Sequence, residues 1–130
     1  MKRKRLSKSQ RMEIYNRFKG RCAYCGKPIK YEEMQVDHVI PLKKGGMDRM
    51  NNLAPACRMC NHYKSTYTLE QFRGQLGLLT ERLKRSFDYR LAVKYNLTTE
   101  HNHQIKFYFE QIPELEEAVA LAFIRSRLIE

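Results

Sequence analysis

Four cysteines in two closely spaced pairs are the residues of this 130-residue chain whose chemistry is easiest to interpret. Each pair has the spacing Cys-x-x-Cys, which brings two thiolates together on a tight turn, and four thiolates fill a closed tetrahedral zinc site. Two disulfides are the alternative, but no secretory signal is recognisable, and such pairs inside a cell favour metal. We therefore predict one structural zinc, held by Cys22, Cys25, Cys57 and Cys60.

The segment between the two cysteine pairs contains a second group of reactive side chains. It spans residues 26–56, which is longer than the spacer of about 15–20 residues found in simple zinc ribbons, so we expect it to contain an element of its own. Asp37 and His38 are adjacent in it, and Asn51 and Asn52 follow. A carboxylate that can bind a divalent ion and an imidazole that exchanges protons near neutral pH are what metal-dependent phosphodiester hydrolysis requires.

The local pattern predicts how these side chains are positioned. Residues 34–40 are rich in strand-forming types and end at Pro41, which cannot donate to a sheet. A loop with Gly45-Gly46 follows, then a short segment at 53–55 that could pair with the first strand, then a helix over 58–66. Such a unit is too small to bury a core alone, so a zinc ion that joins its ends would stabilise it.

The order of these motifs resembles the HNH endonuclease family in its four-cysteine form. The resemblance rests on Asp37-His38-x-x-Pro41, Gly45-Gly46, Asn52-Leu53 and Cys57-x-x-Cys60-Asn61-x-x-Lys64. It implies an α+β fold, namely a small zinc-stabilised ββα-metal domain with an N-terminal basic helix and a mainly helical C-terminal extension. We expect residues 1–67 to hold the basic arm and this domain, and residues 68–130 to form the extension.

The family resemblance also implies a role for each matched residue. Asp37 corresponds to the carboxylate ligand of a single divalent ion, and His38 to the general base that activates water. Asn52 corresponds to the amide that braces the loop and orients that histidine. Asn61 corresponds to the second ligand of the ion, which makes this an H-N-N variant, and His62 is the alternative ligand one residue later. An amide ligand suits a hard ion, so Mg²⁺ or Mn²⁺ is the expected catalytic cofactor.

Charge indicates a polyanionic partner. The formal charge is +11, and residues 1–30 contain 11 lysines or arginines but one acid. Such a basic arm favours contact with nucleic acid phosphates, although it could instead be a solubilising or targeting tail. Arg58 and Lys64, on the predicted helix, could bind phosphates that flank the reaction site or could belong to a solvated face. The residues expected to contact DNA are Lys2, Arg3, Lys4, Arg5, Lys8, Arg11, Arg58 and Lys64.

The remaining sequence predicts mostly helices. Capping boxes begin at Ser7 and Thr68, and the apolar spacing after Thr68 predicts one amphipathic helix that runs through Leu83. A short helix is expected over 88–95, alternating apolar residues predict a strand over 104–109, and Pro113 can open a last helix. No segment is long and apolar enough to span a membrane, and no signal peptide is recognisable, so we expect a cytoplasmic protein. The sequence His101-Asn102-His103 lacks the surrounding motif and is interpreted as a polar loop.

Three classes of function therefore remain in view. The first is a DNA endonuclease that hydrolyses phosphodiester bonds by nicking or by double-strand cleavage. The second is a non-catalytic, zinc-stabilised nucleic-acid-binding module. The third is a structural or interaction protein that is an accessory to a larger machine, such as a phage DNA-processing or packaging complex, and that docks a protein partner through its C-terminal half. Small stand-alone HNH proteins of phages and prophages, and restriction and mobile-element nucleases, provide the analogy for biological context.

Overall fold

A computed structural model describes residues 5–101 and 103–129, with side-chain surroundings through residue 121. The elements, in chain order, are α1 (Lys8–Arg17), β1 (Gln35–His38), β2 (Leu53–Ala56), α2 (Arg58–Lys64), α3 (Leu69–Gly77), α4 (Leu79–Leu83), α5 (Phe87–Lys94) and α6 (Pro113–Ile129). Short 3₁₀ turns lie at Tyr31–Glu33, Leu42–Lys44, Met50–Asn52 and Tyr108–Gln111. The predicted α+β class is confirmed.

Helix α1 begins at the predicted capping box. The Ser7 hydroxyl accepts from the Gln10 backbone N–H, and the Gln10 side chain accepts from the Ser7 N–H, so two otherwise unpaired donors are satisfied. The helix packs the fully buried Ile14 against a small core that also contains Met34, Val36 and Leu53. This core joins α1 to both strands, and the first cysteine pair follows the helix a few residues later in the chain.

Strands β1 and β2 form a two-stranded antiparallel sheet, which confirms the predicted pairing. Asp37 lies opposite Ala54, and His38 lies opposite Leu53. The Ala23 backbone N–H donates to the Pro55 carbonyl over 2.8 Å, so the turn of the first cysteine pair is attached to β2. Asp37 and His38 are thereby fixed at the end of a strand that the first cysteine turn supports.

The loop after β1 folds back tightly on the strand it leaves. Gly45 has a φ of +89°, which glycine adopts without a steric penalty. A Cβ on Gly46 would lie 1.8 Å from the Ile40 carbonyl oxygen, so no larger residue fits that close approach. The glycine pair therefore allows the loop to return to the sheet next to His38.

Two sequence predictions for the C-terminal half are wrong. The helix expected from Thr68 is interrupted at Leu78 into α3 and α4. The strand expected over residues 104–109 is an extended segment followed by a 3₁₀ turn, and its alternation reflects the burial of Phe107 and Phe109 against Tyr24. The chain there pairs with a cysteine turn instead of a strand, since Tyr108 and Phe109 donate backbone N–H groups to Tyr24 and Ala23. The helices expected near 88–95 and from Pro113 are confirmed.

The described residues divide into two compact units. One contains the chain up to residue 69 together with residues from 106 onward, and the other contains residues 70–105. The first unit has the cysteines, the sheet, α1 and α2, so all the candidate chemistry lies in it. The division predicted after residue 67 stays a prediction. Over the described part of the chain, no helix combines the length and apolar character needed to cross a bilayer.

Candidate active site and metal centre

The four cysteines form one cluster that is positioned to bind a metal ion. Their sulfur atoms all lie within 4.8 Å of one another, and Cys25 Sγ lies 3.9 Å from Cys57 Sγ. A tetrahedral ion with bonds of about 2.3 Å to sulfur separates its ligands by about 3.8 Å, so the spacing fits zinc. All four cysteines are free, which excludes the two-disulfide alternative in this structure.

Each cysteine pair is built by a local turn. In the first pair, the Gly26 N–H donates to the Cys22 carbonyl, and Gly26 has a φ of +77° that closes the turn. In the second, Cys57 is the N-cap of α2, and its sulfur accepts from the Cys60 N–H over 3.4 Å. The site therefore connects the turn after α1 to the start of α2.

The cysteines of the cluster do not release their protons equally. The hydrogen bond from the Cys60 thiol lowers the pKa of Cys22 to about 5, and the same bond raises the pKa of Cys60. Burial raises the pKa of Cys25. Cys22 is therefore the thiol of this cluster that is converted most easily to the thiolate, which is the form that binds metal.

A hollow of about 220 Å³ opens between the end of β1 and helix α2. Asp37, His38 and Asn61 line it, and the exposed Lys43 stands at its wall. The structure thus brings together three of the side chains that the sequence singled out. His62 is exposed and is not among the residues that line this hollow.

Asp37 is held by two donors on one of its oxygens. The Tyr24 hydroxyl donates to Asp37 Oδ2 over 2.5 Å, and the Lys64 ammonium lies 2.9 Å from the same atom. Asp37 is only 7% exposed. Burial, and then the adjacent Asp37 carboxylate, raise the pKa of Tyr24 well above its usual range, so the phenol keeps its proton and acts as a donor.

Lys64 occupies a different environment from the one predicted. It was expected on an exposed helix face in contact with DNA phosphates, but it is fully buried. Its ammonium donates to the His38 carbonyl over 3.0 Å in addition to its ion pair with Asp37, and it lies 5.8 Å from the centre of the Tyr24 ring. We therefore correct the phosphate-contact assignment of Lys64, because the side chain has no surface left to offer.

His38 has a partner that sequence reasoning missed. Its Nε2 lies 2.8 Å from Asp48 Oδ1, and the two side chains are only 11% and 5% exposed. Asp48 follows the Gly45-Gly46 turn, and the acidic residue at that point of the loop is the signal that would have indicated it. The return of the loop toward β1 is what brings Asp48 to the ring.

Asn52 braces the loop through the main chain. Its amide oxygen accepts from the Ile40 N–H, and its amide nitrogen donates to the carbonyls of Ile40 and Met47. All three bonds are between 2.8 and 2.9 Å, and Asn52 is buried. Asn52 therefore connects both ends of the loop through their backbone, whereas the side chain that contacts the His38 ring is Asp48.

The basic residues predicted to contact DNA lie in varied surroundings. Lys2, Arg3 and Lys4 lie outside the described residues, whereas Arg5, Lys8 and Arg58 are exposed. Arg11 instead attaches α1 to the domain, since its guanidinium donates to the Met34 carbonyl and lies 5.6 Å from the centre of the Tyr31 ring. The exposed members are available for an anionic partner, and Arg11 already has a structural role.

The donor set of the hollow suits a hard divalent ion. Asp37 and Asn61 offer a carboxylate and an amide oxygen, which are the ligand types that Mg²⁺ and Mn²⁺ prefer. Tyr24 and Lys64 both bind Oδ2 of Asp37, so Oδ1 remains for another ligand. The open volume would leave room for water and a phosphate oxygen beside an ion held by these two residues.

Comparisons with known proteins give a consistent assignment for the first half of the chain. Residues 22–77 match the family model described as HNH endonuclease. The CRISPR-associated endonuclease Cas9 of Corynebacterium diphtheriae is 34% identical over 55 residues, and that of Actinomyces naeslundii is 42% identical over 58 residues. These matches cover 42% and 44% of this chain, which spans 5% of the length of each relative.

The fold has a counterpart among solved structures. The crystal structure of the Type II-C Cas9 enzyme from Actinomyces naeslundii aligns with a TM-score of 0.54 at 23% identity, over 93% of this chain and 13% of that one. At that identity the likeness concerns the fold alone. The family match, the paired strands followed by a helix, and the clustered cysteines all agree, so the segment 22–77 belongs to the HNH endonuclease family.

Proposed function

We propose that this chain is a metal-dependent endonuclease that hydrolyses DNA phosphodiester bonds at the hollow between β1 and α2. The observation that carries the proposal is the convergence of Asp37, His38 and Asn61 on that hollow, with Asp48 bonded to the histidine ring. Binding nucleic acid alone requires no oriented histidine beside an oxygen-rich cavity, whereas hydrolysis does.

Two kinds of ion are part of the proposal. The cysteine cluster would hold a structural zinc, because four thiolates leave no open coordination position. Asp37 and Asn61 would hold Mg²⁺ or Mn²⁺, which supplies a Lewis acid for the scissile phosphate and its leaving 3′ oxygen. The residues of the chain then position the ion and the water.

His38 is suited to act as the general base. Asp48 accepts a hydrogen bond from Nε2–H, which fixes the tautomer and leaves the lone pair on Nδ1 to accept a proton from water. Lys64 anchors the backbone of the same residue through its carbonyl. Asp48 thus orients the ring and Lys64 anchors the backbone of the same residue at the wall of the hollow, as general-base catalysis requires.

Exposed basic side chains would position the DNA backbone. Lys43 stands at the hollow itself, and Arg5 and Lys8 lie on the N-terminal arm and the start of α1. Contacts of this kind bind phosphates without reading the sequence, so they set affinity and orientation. We expect DNA binding to weaken steeply with salt for this reason.

The nature of the cut ends tests the proposed reaction. Supercoiled plasmid incubated with the zinc-loaded chain and Mg²⁺ or Mn²⁺ should be nicked. Because the bond between phosphorus and the 3′ oxygen breaks, the ends should carry a 3′-hydroxyl and a 5′-phosphate, which DNA ligase reseals directly. Binding to DNA without any nicking in either ion would instead indicate the non-catalytic nucleic-acid-binding module.

Asp48 provides a prediction that the sequence alone did not make. Asp48→Asn should lower the single-turnover cleavage rate by about 100-fold, because loss of the carboxylate removes the partner that fixes the His38 tautomer. Asp88→Asn, at an exposed acid of α5, is the control and should cleave as the wild type does. A full rate in Asp48→Asn would show that the ring needs no such partner.

Asn61 and His62 can be separated by paired substitutions. Asn61→Ala should lose cleavage and Mn²⁺ affinity by about 10- to 100-fold, since Asn61 lines the hollow with Asp37. His62→Ala should be mild because that side chain is exposed on the helix. Mn²⁺ titration and single-turnover cleavage of both variants measure this, and an inactive His62→Ala beside an active Asn61→Ala would reverse the assignment.

A further inference from the structure

Tyr24 and Lys64 bind the same carboxylate oxygen from opposite parts of the metal-binding fold. Tyr24 lies between Cys22 and Cys25, and its hydroxyl reaches Asp37 Oδ2 at 2.5 Å. Lys64 is the last residue of α2, the helix that Cys57 caps and that contains Cys60, and its ammonium reaches the same atom at 2.9 Å. The turn of the first cysteine pair and the helix that starts at the second pair therefore each provide one hydrogen-bond donor to Asp37.

Both donors are held rigidly. The Tyr24 ring packs edge-on against Phe107 at a centroid distance of 5.4 Å and against Phe109 at 6.4 Å. Its carbonyl accepts from the Tyr108 N–H over 2.9 Å. Lys64 is fully buried and is also bonded to the His38 carbonyl. The two side chains thus have fixed positions, and Asp37 takes its orientation from them.

We infer that Tyr24 and Lys64 are positioning residues that connect the cysteine cluster to the candidate catalytic carboxylate, fixing Asp37 by Oδ2 so that Oδ1 is presented to a divalent ion. This rests on the proposed function, because it assigns a role toward that ion. In this interpretation the cysteine cluster does more than stabilise the fold, because it sets the distance between the Tyr24 hydroxyl and the Lys64 ammonium. Partners that orient a ligating carboxylate typically change metal affinity or activity by about 10- to 100-fold when removed.

Tyr24→Phe tests the inference with little change in volume. In the zinc-loaded chain, Mn²⁺ affinity measured without DNA should fall by about tenfold or more, while zinc content and the unfolding temperature stay close to those of the wild type. Tyr15→Phe is the matched control, since it deletes a phenol that donates to the Ile29 carbonyl away from the hollow, and it should bind Mn²⁺ normally.

Lys64→Met removes the other donor and provides a second test. With zinc retained, its cleavage at saturating Mn²⁺ should fall by about tenfold or more. Unchanged Mn²⁺ affinity in Tyr24→Phe, or wild-type cleavage in Lys64→Met, would overturn the inference while leaving the nuclease proposal intact. Loss of zinc and of cooperative unfolding in both variants would assign the pair to the fold and would also overturn it. A wild type that neither binds Mn²⁺ nor nicks DNA would instead refute the proposed function.

Discussion

Cys57→Ser should lose its bound zinc and unfold. The four sulfurs surround one site that connects the turn after α1 to the start of α2, in a unit whose sheet has two short strands. A structural zinc contributes about 10–16 kcal/mol to the folding of small zinc domains, which is as large as the whole stability of a typical domain, about 5–15 kcal/mol. The remaining three thiols cannot replace that contribution.

Metal analysis and thermal unfolding measure this effect directly. The wild type should contain about one zinc per chain and unfold cooperatively, and chelation should reproduce the behaviour of the variant. Met59→Ser is the control, because Met59 lies between Cys57 and Cys60 but is 82% exposed and offers no ligand. A folded Cys57→Ser chain without metal would show that the apolar core alone stabilises the domain.

His38→Ala should abolish cleavage while leaving the fold and the affinity for DNA largely intact. General-base catalysis contributes about 10²- to 10⁴-fold, so the variant should fall close to background. The His38 side chain is not part of the core of Ile14, Met34, Val36 and Leu53, and its side-chain hydrogen bond is to Asp48, so its removal leaves that core in place. The phosphates would be bound by other side chains, such as Arg5, Lys8 and Lys43.

Fluorescence anisotropy with labelled DNA separates these effects from each other. The affinity of His38→Ala for DNA should match that of the wild type at each salt concentration. Its single-turnover cleavage rate should be lower by about 10²- to 10⁴-fold. Weaker binding that accounts for the whole loss of cleavage would make His38 a contact residue instead of a base.

The sequence predicted the parts of the fold that depend on local patterns. Ser7 and Gln10 identified the start of α1, Pro41 and Gly45-Gly46 identified the end of β1 and its loop, and the two cysteine pairs identified the metal cluster. Each of these features is determined by residue type and short spacing. The family pattern then placed Asp37, His38 and Asn61 on one site, and the structure brings these residues to one hollow.

The interactions that the sequence did not reveal join distant segments of the chain. Tyr24 reaches Asp37 across 13 residues, and Lys64 reaches the His38 carbonyl across 26. The sequence indicates an exposed position for Lys64 because lysine is rarely buried. In the structure, the ion pair with Asp37 and the hydrogen bond to the His38 carbonyl offset the cost of burying its charge. The two-residue alternation of apolar side chains at residues 104–109 predicted a strand. Burial of Phe107 and Phe109 produces the same alternation in an extended segment that belongs to no sheet.

Whether the hollow between β1 and α2 hydrolyses DNA is tested most directly by a time course of supercoiled plasmid with three samples. The first contains the zinc-loaded wild-type chain and Mn²⁺, the second contains EDTA in addition, and the third contains His38→Ala in place of the wild type. We expect nicked or linear DNA in the first sample and none above background in the other two. Equal cleavage by the wild type and His38→Ala would contradict it, because the hollow between β1 and α2 would then not be the site of hydrolysis.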